Sequence, residues 1–351
     1  MMALDGKICS TSTVGRNRGY SYEDLVLNEN QEYKDELVSL SCGNSLDHYK
    51  EWDKPTTIIS DGAYGVLGFE GDTADQLGLA EWYEEHIKEW SIKATPETTL
   101  WFWNSELGWA VVHSILERYG WRYVSCNVWD KGKGHIAGNV NTKTIRRFPV
   151  SSEVCVQYVF EARINDMTLQ EYVIAEWKRA GLKRKEADPA CGVKNAASRK
   201  YLDPGHLWYF PPVEAFTKMI EYANLNGKLE GKPYYSLDGI NPMTAEDWSR
   251  MRAKFNCPHG YTNIWNRPPL KGSERLKSPK GNKVAHLNQK PLDLMSLIIE
   301  ASTDKGDVIW EPFGGLFSAS LAAKELGRKA FSCELDEAYF TLGTGRFISL
   351  I

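Results

Sequence analysis

Short apolar runs alternate along the chain with longer segments in which apolar residues recur every three or four positions. Runs rich in β-branched and aromatic residues predict buried strands, and the longer spacing predicts amphipathic helices. The predicted strands cover 36–42, 57–60, 98–103, 121–129, 153–160, 306–310 and 330–333; the predicted helices cover 46–52, 72–90, 108–119, 167–180, 213–224, 292–301 and 318–326. This alternation predicts an α/β protein with a doubly wound, mostly parallel sheet, in which 153–160 is an antiparallel edge strand.

The alternation is interrupted after about residue 160. There the chain turns to short helical segments and to loops rich in Gly, Pro, Asn and Lys. We therefore divide it into an N-terminal arm (1–30), a first half of the α/β domain (31–160), a largely helical and loop insert (161–262) and a second half of the domain (263–351).

Charge separates the same central region from the rest. The chain has a net charge of −4, but residues 160–285 hold 21 Lys and Arg against 14 Asp and Glu. A basic block within an acidic chain indicates a surface for a polyanion, although a solvated charged surface has the same composition.

Composition excludes several other classes of protein. Charged residues make up 25% of the 351 residues and hydrophobic residues 42%, as in soluble globular proteins. No apolar run has the length of a membrane span, and the first residues lack the apolar region of a signal peptide. Seven scattered cysteines without a C-x-x-C pair fit a reduced protein, and Cys257 and His259 have no partner pair at metal-ligand spacing. We expect a cytoplasmic protein with no metal site and no membrane association.

The turn after the strand 57–60 carries the first candidate chemistry. Its residues, Asp61-Gly62-Ala63-Tyr64, follow a buried strand, and ligands of open α/β sheets bind beyond the carboxyl ends of strands. Asp61 and the Gly62 carbonyl can each accept a hydrogen bond from an amino group, and Tyr64 offers a ring for stacking. The turn therefore suits a flat, amine-bearing ring, although an ordinary turn contains the same residue types.

The last 65 residues predict a site for a nucleoside cofactor. A strand runs into Glu311-Pro312-Phe313-Gly314-Gly315, and the next strand ends at Glu334. A glycine turn lets the backbone approach a ligand, and an acidic residue at the end of the following strand can hold ribose hydroxyl groups. No Lys-Ser or Lys-Thr follows the glycines and the G-x-G-x-x-G pattern is absent, which disfavours a phosphate loop, NAD and FAD.

Together these segments resemble the amino-methyltransferases of DNA, in the circular order of their β class. Gly43-Asn44-Ser45-Leu46 and Asp61-Gly62-Ala63-Tyr64 resemble that family's Gly-Asp-Ser-Leu and Asp-Pro-Pro-Tyr elements. Asn263-Ile264-Trp265 and His286-Leu287-Asn288-Gln289-Lys290-Pro291 resemble its Trp and His-x-x-Gln-Lys-Pro elements. Glu311 to Gly315, Gly327-Arg328 and Glu334-Leu335-Asp336 resemble its cofactor turn and ribose-binding acid.

The chain departs from the family pattern at three places. Gly62 and Ala63 replace the two prolines of the tetrapeptide, Leu316 and Phe317 replace a Ser-Gly pair, and Glu311 replaces Asp. Glycine loosens a backbone that proline would fix, and the cofactor turn must be built differently.

The resemblance implies the S-adenosylmethionine-dependent methyltransferase fold and methyl transfer to the exocyclic amino group of a base flipped out of DNA. It favours adenine N6, with cytosine N4 as the alternative. The implied catalytic residues are Asp61, Gly62, Ala63 and Tyr64. The implied S-adenosylmethionine-binding residues are Asn44, Ser45, Leu46, His286, Gln289, Lys290, Glu311, Phe313, Gly315, Glu334 and Leu335. Residues 31–160 become the catalytic half and 263–351 the cofactor-binding half.

The basic insert (161–262) becomes a target-recognition region for double-stranded DNA. Its segments around 183–185 and 193–201 have a weak helix-turn-helix pattern, and a charged helical hairpin is the alternative. The predicted DNA-binding residues are Lys194, Asn195, Ser198, Arg199 and Lys200.

Further partners and rival functions stay open at this point. We consider a cognate restriction endonuclease and a second copy of the chain as partners. A catalytically inactive DNA-binding protein and a methyltransferase for RNA or a small molecule are the rival functions.

Overall fold

A nine-stranded sheet forms the centre of the computed structural model, which describes residues 32–65, 75–132, 143–194, 196–228, 231–278 and 283–348. The predicted N-terminal arm (1–30) lies outside the described residues. The strands are β1 (Glu32–Lys34), β2 (Val38–Cys42), β3 (Thr57–Ser60), β4 (Thr99–Asn104), β5 (Trp121–Asp130), β6 (Ser152–Phe160), β7 (Arg163–Ile164), β8 (Met167–Thr168), β9 (Ile264–Asn266), β10 (Val308–Glu311) and β11 (Lys329–Glu334). The helices are α1 (Ser45–His48), α2 (Leu79–Lys93), α3 (Glu106–Arg118), α4 (Leu169–Arg179), α5 (Ala187–Ala190), α6 (Val213–Asn226), α7 (Ala245–Ser249), α8 (Leu292–Ser302), α9 (Ser318–Glu325) and α10 (Glu337–Ile348), and 3-10 helices occupy Arg184–Glu186, Ala197–Leu202 and Gly272–Glu274.

The strand order is β1-β2-β11-β10-β3-β4-β6-β5-β9. From β2 to β4 all neighbours are parallel, and β9 is parallel to β5. The predicted α/β class and mostly parallel sheet are confirmed. The strand β6 is antiparallel to its neighbours as predicted, but its predicted edge position is wrong, because β5 and β9 lie outside it.

Helices cover both faces of the sheet. Buried residues of α8, α9 and α10 pack on one face in a cluster that includes Leu294, Ala319 and Phe340. Buried residues of α1, α2 and α3 pack on the other face, with Tyr49, Tyr83 and Val112 in their cluster. The strands between them are therefore apolar on both sides, which explains why they could be identified as continuous apolar runs.

The parallel strands give the sheet two distinct edges. We call the edge where β2, β3, β4, β10 and β11 end the carboxyl edge, and the edge where they begin the amino edge. Since β6 runs the other way, Glu153 near its start lies at the carboxyl edge and Phe160 at its end lies at the amino edge.

The chain from 161 to 254, which we call the insert body, has a hydrophobic core of its own. Its buried residues include Tyr172, Trp177, Phe216 and Trp248, and the rings of Phe216 and Trp248 stack with centroids 3.7 Å apart. A core that shares no member with the two sheet clusters makes this body a separate packing unit.

The insert body is attached to the amino edge of the sheet. At its start the Glu161 amide donates to the Gly120 carbonyl, which precedes β5. At its end Arg250 pairs with Glu97 before β4 at 3.1 Å, and Lys254 pairs with Asp304 before β10 at 2.7 Å. Residues 257–263 then run to β9, which pairs with the carboxyl-terminal end of β5.

Two local predictions need correction. Helix α2 begins at Leu79 rather than near residue 72, and the described residues 75–78 are not helical; Gly78 is its N-cap, and glycine is a poor helix former. The predicted reading helix of a helix-turn-helix is a six-residue 3-10 helix, Ala197–Leu202. It follows Gly192, whose φ of +70° turns the chain away from helical geometry.

None of the helices within the described ranges is both long enough and apolar enough to cross a membrane.

Candidate active site

A cavity of about 810 Å³ opens at the carboxyl edge, between the ends of β2, β3, β10 and β11. All fifteen residues predicted to be catalytic or cofactor-binding line it: Asn44, Ser45, Leu46, Asp61, Gly62, Ala63, Tyr64, His286, Gln289, Lys290, Glu311, Phe313, Gly315, Glu334 and Leu335. Residues up to 291 positions apart in the chain therefore meet in one space, as expected where parallel strands end together.

The loop after β3 is held by hydrogen bonds to one carbonyl. The Ala63 carbonyl accepts from the Tyr83 hydroxyl at 3.1 Å and from the Asn104 side-chain amide at 2.9 Å. Both donors come from buried residues on neighbouring elements, α2 and β4. These two contacts restrain a loop that lacks proline.

Gly62 lies directly against the ring of Phe313. A Cβ atom at this position would be 2.6 Å from Phe313 Cδ2 and 2.8 Å from the Tyr83 hydroxyl oxygen. The residue must therefore be glycine while Phe313 keeps its place, so this departure from the family pattern has a steric cause.

Lys290 crosses the cavity floor to Asp61. Its Nζ lies 2.6 Å from Asp61 Oδ1, 3.3 Å from the Tyr64 hydroxyl oxygen and 3.4 Å from Glu153 Oε2. The Lys290 side chain is only 4% exposed, whereas that of Asp61 is 21% exposed and reaches the cavity. The second carboxylate oxygen of Glu153, Oε1, accepts a hydrogen bond from Lys131 Nζ. Two partly buried carboxylates thus share one buried ammonium group.

Charge and burial compete within this cluster. Burial raises the pKa of the Asp61 carboxyl above its usual range, and Glu153 adds to the rise, while Lys290 and the Tyr64 hydroxyl oppose it. Burial lowers the pKa of the Lys290 ammonium, but the two carboxylates outweigh burial and raise it overall. Glu153 is also desolvated, yet Lys290 and Lys131 hold its pKa below the usual range. The charged form of Lys290 is thus favoured by both neighbours.

Glu334 closes the turn between β10 and α9. Its Oε2 accepts from the Gly315 amide at 2.6 Å and its Oε1 from the Asp336 amide at 2.9 Å. Burial raises its pKa to about 7 despite these bonds. The carboxyl group therefore stands fixed beside a glycine turn, with Gly315 at a φ of +53°.

Glu311 has a structural partner that the sequence did not suggest. Its two oxygens accept from the amides of Ala319 and Ser320 at 2.9 and 2.8 Å, so the side chain caps the start of α9. Burial raises its pKa to about 7, and the buried Arg346 of α10 lowers it in part. Glu311 lines the cavity, but its carboxylate serves the helix.

The turn residues that replace a Ser-Gly pair are anchored in the core. Phe317 has a φ of +54°, in the left-handed region, and its ring packs edge-on against Phe340 with centroids 5.8 Å apart. Leu316 is also buried. Burial of both side chains offsets a backbone strain of about 1–2 kcal/mol.

Several predicted cofactor residues use their side chains within the protein. Asn44 Oδ1 accepts from the Leu46 amide at 3.1 Å and caps α1. Gln289 donates to the Glu274 carbonyl and accepts from the Leu276 amide, so it holds the loop before it. His286 packs against Tyr339, and burial lowers its pKa to about 4.

Aromatic rings form part of the lining of the cavity. Most of the charged residues in the lining are acidic. The ring centroid of Trp82, in α2, lies 5.1 Å from that of Phe313. The acidic lining residues are Asp61, Asp75, Glu81, Glu85, Glu311, Glu334 and Asp336, against a single lysine. Among the residues that the structure covers, no three His, Cys, Asp or Glu side chains are grouped so as to hold a metal ion.

Four of the five predicted DNA-binding residues lie in the insert body and do not line this cavity: Lys194, Ser198, Arg199 and Lys200. Lys194, Arg199 and Lys200 are exposed, and Asn195 lies outside the described residues. Ser198, which was predicted to bind DNA, has a buried side chain that donates to Asp188 Oδ1 at 2.7 Å, so the structure does not present it to DNA. Arg199 Nε donates to the other oxygen of the same carboxylate at 2.7 Å.

The sequence analysis missed three residues that shape the site: Tyr83, Asn104 and Glu153. Asn104 had a local signal, since it is a polar residue that ends an all-apolar strand. Tyr83 and Glu153 had none, because only the folded sheet brings them to their partners: Tyr83 contacts Ala63, 20 positions away, and Glu153 contacts Lys131 and Tyr64, 22 and 89 positions away.

Comparison with known proteins gives these features a family. The family model described as DNA methylase (N6_N4_Mtase) matches residues 52–344. The type II methyltransferase M.HinfI of Haemophilus influenzae is 33% identical over 84 residues, 24% of this chain and 23% of that protein. The type II methyltransferase M1.MboII of Moraxella bovis is 28% identical over 110 residues, 30% of this chain and 42% of that protein. The chain thus spans less than half the length of either relative.

A solved structure, the cytosine-N4-specific PvuII DNA methyltransferase, is 13% identical, covers 90% of this chain and 88% of its own, and has a TM-score of 0.49. The match of the family model extends over most of the chain and includes both halves of the cavity. The resemblance inferred from the motifs is confirmed: the chain belongs to the DNA methylase family of N6 and N4 amino-methyltransferases.

Proposed function

We propose that this protein methylates the exocyclic amino group of a base flipped out of duplex DNA, with S-adenosylmethionine as methyl donor. The observation that carries the proposal is the single cavity shared by Asp61 and Tyr64 on one side and by Gly315 and Glu334 on the other. Family membership supports the reaction class.

The lining of the cavity fits the donor. S-adenosylmethionine carries a sulfonium and an ammonium charge, and the acidic lining favours a cationic guest. Glu334 at the end of β11 is positioned to accept from ribose hydroxyl groups, and Gly315 allows close approach of the backbone. Trp82 and Phe313 offer apolar surface for a nucleobase.

Asp61 and Tyr64 would act on the target base. The Asp61 carboxylate would accept hydrogen bonds from the amino group and orient its nitrogen lone pair, and the Tyr64 ring would stack on the base. When bound, S-adenosylmethionine supplies a methyl group on a sulfonium sulfur, which keeps the electron pair of the broken S–C bond as the N–C bond forms and one amino proton leaves to water.

Lys290 supports this role by favouring the ionised form of Asp61, and Glu153 supports it by offering Lys290 a second carboxylate. A carboxylate buried without a partner would become protonated and could no longer accept two hydrogen bonds. Lys290 prevents this at 2.6 Å, and Glu153 offers the same ammonium group a second carboxylate at 3.4 Å. When the base amino group arrives, Lys290 can shift toward Glu153 without losing its counter-ion.

The finer part of the proposal is adenine N6, supported by Asp at the first position of the tetrapeptide in this family; cytosine N4 is the alternative. The relatives are named type II methyltransferases, which supports the further proposal of a cognate restriction endonuclease.

The test incubates the protein with unmodified duplex DNA and donor carrying a labelled methyl group, then identifies the modified nucleoside after digestion. We expect N6-methyladenine, and N4-methylcytosine would select the alternative. Asp61→Ala should reduce incorporation by at least about 10²-fold while donor binding persists; Asp53→Ala removes an exposed carboxylate at the amino edge as a control. Donor binding without any incorporation would favour an inactive DNA-binding protein, and labelling of RNA alone would favour an RNA methyltransferase.

A further inference from the structure

We propose that duplex DNA docks on the carboxyl edge through two basic loops, 143–150 and 267–289 as far as the structure describes them, and that the insert body stays off the DNA. This inference rests on the proposed function and names its DNA-binding surface. It replaces the expectation, drawn from the sequence, that the insert reads the target.

Topology sets the two regions apart. The target base must enter the cavity at the carboxyl edge, where Asp61 lies. The insert body begins after Phe160, seven residues along β6 from Glu153, which is roughly 23 Å at 3.3 Å per residue. Its contacts through Arg250 and Lys254 are with loops of the amino edge. A duplex seated over the cavity therefore has the thickness of the sheet domain between it and these contacts.

The loop between β5 and β6 leaves the sheet beside the reacting groups. Its base is closed by the Lys131 amide, which donates to the Ser151 carbonyl at 2.9 Å, next to Glu153. The described residues 143–150 include Lys143, Arg146 and Arg147 and no acidic residue, and all three cationic residues are exposed. Such a stretch suits phosphate contacts.

Phe148 gives the same loop an apolar tip. Its ring is 94% exposed, the highest value for a large apolar residue within the described ranges. A phenylalanine preceded by two arginines on a DNA-facing loop fits a wedge that enters the base stack while the arginines bind phosphate. Such a wedge would also lower the cost of extruding the target base.

The loop between β9 and α8 adds cations on the other side of the cavity. Its described part leads directly into Lys290 and carries exposed Lys271, Lys277 and Lys283. Its two arginines serve the loop itself: Arg267 pairs with Glu274 and Asp293, and Arg275 donates to the Leu270 carbonyl. The lysines are therefore the residues we assign to phosphate.

The cations of the insert body are engaged differently. Arg184 pairs with Asp203, Arg199 with Asp188 and Arg179 with Glu176, all inside the body. These contacts hold the short helices of the insert body together. The basic composition of the insert body alone is therefore not evidence that this body binds DNA.

The experiment compares two variants matched in charge. Arg146→Ala/Arg147→Ala alters the carboxyl edge, and Lys194→Ala/Lys200→Ala alters the insert body. We measure duplex affinity over a salt series, with donor binding as the check that each variant is folded. The edge variant should bind at least about 10-fold more weakly, with the slope of log affinity against log salt reduced by up to about 2, since each phosphate contact contributes about 0.9. The body variant should match the wild type.

The wedge is tested separately by Phe148→Ala, with the exposed Phe255→Ala as control. Fluorescence of 2-aminopurine at the target should show less base extrusion for Phe148→Ala, with the salt slope unchanged. Loss of affinity in the body variant with a normal edge variant would overturn the inference while leaving the proposed function intact. A wild-type protein that neither binds nor methylates duplex DNA would overturn the proposed function itself.

Discussion

The ring of Phe313 occupies the space that a side chain at Gly62 would need, with Cδ2 only 2.6 Å from the position of a Cβ atom. Phe313 belongs to the cofactor half of the cavity and Gly62 to the loop that carries Asp61. The contact thus ties the geometry of one half-site to that of the other.

Gly62→Ala should therefore lower activity. The added methyl group must push Phe313 or the Asp61 loop by several tenths of an ångström, and misplacement of reacting groups by about 1 Å can cost 10²-fold in rate. Turnover with saturating donor and DNA measures the effect. Gly345→Ala is the control, since a Cβ there meets nothing within 4 Å. A Gly62→Ala protein with wild-type turnover would show that the contact is not needed.

Tyr83→Phe tests how the loop is held. The substitution removes the hydroxyl that donates to the Ala63 carbonyl but keeps the buried ring, so stability should fall by only about 1 kcal/mol. We expect turnover to fall about 10-fold with little change in donor affinity, because Asn104 alone then restrains the loop. Thermal unfolding and turnover on the same samples separate the two effects, and equal losses in donor binding and turnover would argue against a local role.

Lys290→Gln and Glu153→Gln should shift the acid limb of the activity profile in opposite directions. The groups that act on Asp61 are Tyr64, Lys290 and Glu153, with Cys155 also nearby and Lys131 acting through Glu153. Removing the positive charge of Lys290 raises the Asp61 pKa, so activity should be lost at a higher pH than in the wild type. Removing the negative charge of Glu153 lowers that pKa and moves the limb to lower pH.

Substitutions of Lys290 and Glu153 also predict an order of unfolding temperatures, which can be measured without an activity assay. Lys290→Gln leaves two buried carboxylates with Lys131 as their remaining cation, whereas the double variant Glu153→Gln/Lys290→Gln leaves one of each sign. The double variant should unfold at a higher temperature than Lys290→Gln alone. If Lys290→Gln and Glu153→Gln shift the acid limb of the activity profile in the same direction, the two carboxylates do not share the Lys290 ammonium group.

Glu334→Gln should flatten the dependence of stability on pH. The folded pKa of about 7 exceeds the ordinary value of 4.5, so the protonated form is favoured in the folded protein. The contribution is fully present below about pH 4.5 and is lost as pH rises to about 7, with a slope of at most about 1.4 kcal/mol per pH unit. Chemical denaturation across this window measures it. Glu337→Gln removes an exposed carboxylate nearby, and identical flattening in both variants would count against the assignment.

Trp248→Ala should loosen the insert body alone. Trp248 is fully buried and stacks on Phe216 and Phe210, so its truncation should cost about 3–5 kcal/mol within that core. Hydrogen exchange should increase between 161 and 254 while donor binding at the other edge persists. A collapse of donor binding would mean that the two cores do not unfold separately.

Much of the sheet domain could be predicted from the sequence because its strands are buried on both faces. Ile58, Trp101 and Ile309 belong to short runs in which neighbouring residues are apolar, and such runs are visible without a partner. The cavity was predictable for a related reason: strand ends are marked by Asp61, Glu311 and Glu334, and parallel strands bring their ends together.

What could not be predicted depends on direction and on distant partners. The sequence indicates that Lys290 belongs to a cofactor-binding element. In the structure its Nζ donates to Asp61 Oδ1, a residue 229 positions away. Ser198 was predicted to bind DNA, but its side chain is buried and donates a hydrogen bond to Asp188. The contacts of the insert body with the amino edge join Arg250 to Glu97 and Lys254 to Asp304, 153 and 50 positions apart, and no strand pattern reveals them.

The strand order also constrains how the chain is made. The strands β2 and β3 are synthesised early, but they are not neighbours: β11 and β10, formed from residues 308–334, lie between them. The central hydrogen bonds and the cavity cannot form until those residues are synthesised, so the first strands wait with open edges while some 250 residues follow. Completion of the sheet therefore waits for the cofactor half, and a nonsense mutation just before β10 would remove the middle of the sheet rather than its margin.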